Sequence, residues 1–169
     1  MRTLYLLRHA KSSWSDPALE DVERPLAPRG RRDAKRMATH LREREIAPEL
    51  VLCSPSERTR STLELVRAAL PAGAGVTFEP GLYLGSVETV LELLHGVPEN
   101  VASVMVIGHN PSLQELALQL AQPGGDLPRL RAKFPTGALA TLTIPQAAWA
   151  TLSRNGALLT AFVVPRELG

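Results

Sequence analysis

The chain has 169 residues, 44% hydrophobic and 21% charged, the balance of a globular protein long enough for one real core, which excludes disorder and collagen-like repeats. Nineteen Lys and Arg against seventeen Asp and Glu give a net charge of +2 with 4% aromatic residues, too few rings for a single-strand stacking platform. A single cysteine cannot build a disulfide framework, and no run approaches the roughly 20 apolar residues of a membrane span.

Hydrophobic periodicity alternates between strand and helix along residues 1–169, with no internal repeat or domain-splitting linker, and predicts a single domain. Leu4 to Leu7 is a compact apolar strand, too short for the apolar core of a signal peptide. After a polar, Pro-containing loop, Ala34, Met37, Ala38 and Leu41 recur at helical spacing. The basic cluster Arg29 to Arg36 lies on this pattern and contains Asp33, so it reads as a solvated helix face rather than a nucleic-acid stripe. Glu49 to Cys53 predicts a second strand; Leu63, Val66 and Leu70 predict a helix stopped by Pro71; Val76 to Glu79 is a weak third strand.

Val87, Val90, Leu91 and Leu94 mark the next helix, and Val101 to Ile107 a strongly apolar fourth strand. Asn110-Pro111 offers an N-cap and a proline for the first helical position, followed by Leu113, Leu116, Ala117 and Leu120 on one face. Beyond a loop over Gln122 to Pro128, Ala138 to Ile144 and Ala157 to Val164 predict the last two strands. Such alternation implies an α/β fold: a three-layer sandwich with a mostly parallel central sheet, helices on both faces and an antiparallel strand near the end.

Chemistry gathers where the strands stop. The first runs into Arg8-His9, the second into Ser54-Pro55 with Arg58 beyond, and the fourth into Gly108-His109-Asn110-Pro111. Ligands of open α/β sheets bind past the carboxyl ends of the strands. Two arginines and two histidines therefore reach one sheet edge, beside two expected helix starts at Ser54-Pro55 and Asn110-Pro111 whose free N–H groups favour an anion. The combination describes a pocket for a phosphoryl group. A neutral imidazole can attack phosphorus and carry the phosphoryl group covalently, while arginines clamp its oxygens without a metal. The attacking ring needs a fixed acceptor on its other nitrogen to set the tautomer.

Leu4-Tyr5-Leu6-Leu7-Arg8-His9-Ala10, Ser54-Pro55-Ser56-Glu57-Arg58 with Thr62, and Val106-Ile107-Gly108-His109-Asn110-Pro111 resemble, in order, three signature segments of the histidine phosphatase superfamily. The short length and Asp21-Val22-Glu23-Arg24-Pro25-Leu26 resemble its SixA-type phosphohistidine phosphatases, which lack a lid insertion. The resemblance implies His9 as nucleophile, Arg8 and Arg58 as phosphate clamps, His109 as the second pocket histidine, and Arg24, Asp21 and Asn110 as substrate-binding residues. Ala10 stands where the superfamily usually has glycine, a mild change unless a positive φ is needed. Gly81-Leu82-Tyr83-Leu84 offers no carboxylate where larger branches place the general acid, leaving Asp21 and Glu79 as candidates.

Rival readings are weaker. A cysteine-based phosphatase loop from Cys53 needs an arginine at position 59, which is Thr59. A metal phosphatase using His9 and His109 would want carboxylates where arginines stand. His40 and His95 sit on helical segments away from the strand ends and read as structural, and Arg60 as a surface residue; Trp14 fits either the pocket rim or packing over the neighbouring loop. The expectation is a cytoplasmic phosphatase without metal or organic cofactor. It would act through a phosphohistidine at His9 on a phosphorylated protein such as a histidine phosphotransfer domain. A small phosphate ester is the alternative substrate, and a non-catalytic phosphate sensor the alternative of another class. Neither nucleic acid nor membrane is an expected partner.

Overall fold

The computed structural model describes residues 1–145 and 148–169. Its centre is a six-stranded sheet built from β1 (Arg2–Arg8), β2 (Leu50–Cys53), β3 (Gly75–Phe78), β4 (Ser103–Gly108), β5 (Leu139–Ile144) and β6 (Leu158–Val163). Their order across the sheet is β3-β2-β4-β1-β5-β6. The β1–β4, β2–β4 and β2–β3 pairs are parallel, and β5 runs antiparallel to both its neighbours. The weakly apolar β3 lies at one edge of the sheet.

Strand alternation sorts the core into two halves. Leu4, Leu6, Val104 and Val106 pack on one face against Val90 and Leu94 of α3 (Val87–His95), Leu113, Leu116 and Leu120 of α4 (Ser112–Leu120), and α5 (Leu127–Ala132). Leu7, Val51, Met105 and Ile107 face the other way, onto Met37 and Leu41 of α1 (Pro28–Glu43) and Leu63 and Val66 of α2 (Glu57–Val66). Each fully buried leucine contributes about 1.5–3 kcal/mol relative to exposure. These two half-cores make the three layers. Among the described residues, no helix is long and apolar enough to cross a membrane.

Two helix starts differ from expectation. The Ser56 hydroxyl accepts the Thr59 N–H, so α2 begins at Glu57 rather than at Ser54-Pro55. Pro111 precedes α4 instead of occupying its first turn, while the Asn110 side chain accepts the Gln114 N–H at 3.3 Å. The short α5 falls partly in the stretch read as a loop; six residues starting beside Pro128 are too few to print a helical period. His40 is half-buried on α1, and His95, in the last turn of α3, bonds the Leu152 carbonyl at 2.7 Å, a tie between two chain segments.

Candidate active site

The parallel register of β1 and β4 pairs Arg8 with Gly108, so the next residue of each strand is a histidine. The His9 N–H donates to the Gly108 carbonyl at 3.1 Å, and the two imidazole centroids stand 5.2 Å apart. Arg8, His9, Arg58 and His109 line one cavity of about 620 Å³ at the carboxyl edge of the sheet, together with Asp21, Arg24 and Asn110. Four side chains separated by up to a hundred residues thus converge as the strand-end pattern predicts.

His9 is 7% exposed, and its Nδ1 lies 2.7 Å from the Ala10 carbonyl oxygen. Nδ1–H donates to that carbonyl, which leaves the Nε2 lone pair free. Burial pushes the ring down to about 3, assisted by the charge of His109, Arg58 and Arg8, so His9 is neutral near pH 7. Ala10 is not among the residues with positive φ, and alanine fits where glycine is usual. Its N–H donates to Thr62 Oγ1 at 3.0 Å, and that hydroxyl donates to the Arg58 carbonyl. Thr62 therefore ties the backbone beside His9 to the helix that carries Arg58.

His109 is also driven low, to about 4, first by burial and then by Arg58. Its Nε2 lies 2.7 Å from Ser54 Oγ and 3.4 Å from Ser56 Oγ. The two serines at the end of β2 fix its ring, a role no local sequence signal announces. Cys53 is buried, with its thiol pushed up to about 12, which removes it as a nucleophile.

The guanidinium groups are held by backbone. Arg8 Nη1 donates to the Phe134 carbonyl at 2.9 Å, while its Nε is buried with no hydrogen-bond partner among the described residues. Arg58, one residue into α2, donates to the Asp21 carbonyl at 2.7 Å and to its carboxylate at 3.0 Å. α2 thus delivers an arginine to the pocket rather than backbone amides; at α4, Pro111 and Ser112 do line it. The Asn110 amide is engaged too, donating at 3.1 Å to the same Phe134 carbonyl as Arg8.

Arg24 is buried and spends its fork on the Ser13 carbonyl, the Asp21 carboxylate and Ser12 Oγ. Exposed Trp14 stacks on it, with the guanidinium carbon 3.1 Å from the ring centre, and stands at the rim. Neither carboxylate candidate stands free in the cavity. Tyr83 donates to the Asp21 carboxylate at 2.7 Å and, with Arg58 and Arg24, holds it down at about 2, an ion-pair partner rather than a proton carrier. Glu79 lies outside the cavity lining, its N–H on the Cys53 carbonyl. The turn after β3 presents Tyr83 in its place, with the ring 5.6 Å from that of His109.

Positive side chains around two neutral imidazoles fit an oxyanion and disfavour a cation. The profile of the histidine phosphatase superfamily (branch 1) matches residues 4–83. Phosphohistidine phosphatase SixA of Escherichia coli (strain K12) is 33% identical over 147 residues, covering 85% of this chain and 86% of that protein. The chain belongs to the SixA-type group of the histidine phosphatase superfamily. A structure assigned to SixA of Nakamurella multipartitia superposes with a TM-score of 0.85 at 33% identity, covering 97% and 96% of the two chains. The protein histidine phosphatase SixA solved with tungstate gives 0.80 at 29%, covering 98% of each. This SixA-type chain is a phosphatase with the mixed, mostly parallel sheet of its relatives.

Proposed function

We propose that the protein hydrolyses protein-borne phosphohistidine through a covalent intermediate on His9. The observation that supports this reading is the Nδ1–Ala10 carbonyl contact at 2.7 Å on a neutral, buried ring, which leaves Nε2 unprotonated in the cavity that Arg8 and Arg58 also line. Nε2 attacks phosphorus; the bond from phosphorus to the leaving nitrogen breaks, and its electron pair stays on that nitrogen. Water then attacks the phosphorus on His9, the Nε2–P bond breaks, and inorganic phosphate leaves with neutral His9 restored. Arg8 and Arg58 neutralise the oxygens in both steps, and a phosphoryl oxygen beside Arg8 offers its unpartnered Nε an acceptor.

The missing acid favours a nitrogen leaving group. An alkoxide must be protonated as it departs, and Asp21 is ionised while Glu79 lies outside the cavity. A phosphohistidine already protonated on its other ring nitrogen leaves as neutral imidazole with no donor required. A histidine phosphotransfer domain carries such a group, and the SixA relatives bear names of that activity.

Quenched-flow labelling with a radiolabelled phosphohistidine protein tests the mechanism. An acid-labile, base-stable phosphoenzyme is expected in the parent and not in His9→Ala, with turnover insensitive to EDTA. Near-normal turnover by His9→Ala refutes the covalent route, and binding without turnover in the parent identifies a sensor. Faster hydrolysis of sugar or nucleotide phosphates than of the phosphoprotein reassigns the substrate to a small ester.

A further inference from the structure

Beside the phosphate pocket runs a second, larger depression of about 690 Å³, lined by Arg29, Arg32, Arg36, Arg129, Lys133 and Arg166. The whole chain is nearly balanced, nineteen cations against seventeen anions, so six cations on one trench are a local concentration. Three carboxylates oppose them: Asp33 pairs with Arg29 and Arg36, and Asp126 and Glu167 pair with Arg129. Arg32 and Lys133 make no ion pair among the described residues. The floor is apolar, formed by Phe162, Val164 and Pro165.

The trench joins the active site through one short wall. Thr136 lines both cavities. Its neighbour Gly137 donates to the Arg8 and His9 carbonyls, and the Phe134 carbonyl accepts from Arg8. Across the pocket mouth, Trp14 and Leu84 line the rim and are 73% and 82% exposed; Leu84 is held at φ +63, a backbone state uncommon for a branched side chain. The six cations line the trench and not the phosphate pocket, so a small ester held in that pocket leaves them unused.

We propose that the basic trench docks an acidic surface of the phosphorylated protein substrate while its phosphohistidine enters the adjoining pocket. This rests on the phosphohistidine reading above and adds its partner chemistry: carboxylates flanking the phosphorylated residue, over an apolar patch. Charge complementarity raises encounter rates about 10- to 1,000-fold at low salt and is screened as salt rises. Nucleic acid fits less well, because the one ring in the trench, Phe162, is 5% exposed and cannot stack on bases. A membrane fits less well, because none of the exposed large apolar side chains lines the trench.

The test compares the full chain with Arg32→Glu/Lys133→Glu on two substrates. One is a histidine phosphotransfer domain with an acidic face, phosphorylated by phosphoramidate; the other is p-nitrophenyl phosphate. Docking predicts a fall of about tenfold or more in kcat/KM on the phosphoprotein at low salt, carried by KM and shrinking as NaCl is raised, with p-nitrophenyl phosphate unchanged. Equal kcat/KM of variant and parent on the phosphoprotein overturns the proposal, as does an equal loss on both substrates. So does a defect confined to DNA or phosphatidylglycerol vesicle binding. A parent that turns over only p-nitrophenyl phosphate overturns docking and the phosphohistidine reading, whereas a fast parent with an unaffected variant sinks docking alone.

Discussion

Asp21 grips Arg58 twice, through its carbonyl oxygen at 2.7 Å and its carboxylate at 3.0 Å, so a side chain of the protein itself occupies part of the guanidinium that the proposed mechanism offers to phosphate. Incoming phosphate competes with that carboxylate for the same guanidinium. Asp21→Asn should therefore bind inorganic phosphate or tungstate a few-fold more tightly, read as a lower inhibition constant against p-nitrophenyl phosphate. If Asp21 were instead the proton donor, kcat would collapse for poor leaving groups and the alkaline limb of the pH profile would move.

The two depressed histidines make a pH prediction with a definite sign. His9 lies at about 3 and His109 at about 4 in the folded protein, against about 6.5 in an unfolded chain. Between those limits the unfolded state binds more protons, so stability is fully present above pH 6.5 and is lost as pH falls towards 4. Each ring contributes a slope of about 1.4 kcal/mol per pH unit in that window. Urea unfolding at pH 7 and pH 5 should show the loss, and His9→Asn should show a shallower one. Equal slopes in the two proteins would mean that His9 is not held neutral by the fold.

Most of this site is written at strand ends. Arg8-His9 and Gly108-His109 are legible because apolar runs stop there, and parallel pairing of two such strands brings their next residues together. The same reading misses whatever depends on a turn between distant segments. Ser54 belongs to a recognisable motif, yet nothing in its neighbours says that it faces an imidazole 55 residues away. Tyr83 lies in a stretch without a carboxylate, and only the fold around the Pro80–Leu82 turn places its hydroxyl on Asp21. Residue type alone makes Asp21 and Glu79 candidate acids; the structure pairs the first with Tyr83, Arg58 and Arg24 and leaves the second outside the cavity lining. The basic cluster on α1 reads as an ordinary solvated face until α5 and the end of β6 bring Lys133, Arg129 and Arg166 opposite it.

Ser54 supplies a direct test of how His109 works. Its hydroxyl is the short partner of His109 Nε2, at 2.7 Å, and both groups are buried. Ser54→Ala leaves the ring with only the longer contact to Ser56 Oγ at 3.4 Å. Losing one such bond costs about 0.5–1.5 kcal/mol, so kcat/KM should fall about 2- to 12-fold, with His9 still phosphorylated. Unchanged kinetics would show that the ring of His109 needs no anchor.

Gly137 ties the backbone of Arg8 and His9 to the wall shared by pocket and trench. Its N–H reaches the Arg8 carbonyl at 3.1 Å and the His9 carbonyl at 2.9 Å, from a left-handed φ of +75. A Cβ there would also lie 2.9 Å from Pro165 Cγ, inside normal contact distance. Gly137→Ala must accept the strained backbone, at about 1–3 kcal/mol, or shift the segment and release the two carbonyls. Thermal unfolding should fall by about 2–4 °C for each kcal/mol lost. Because the strained residue holds the His9 carbonyl, formation of the phosphoenzyme should slow in the same variant. An unaltered melting temperature and unchanged phosphoenzyme formation would mean that the segment absorbs the methyl group freely.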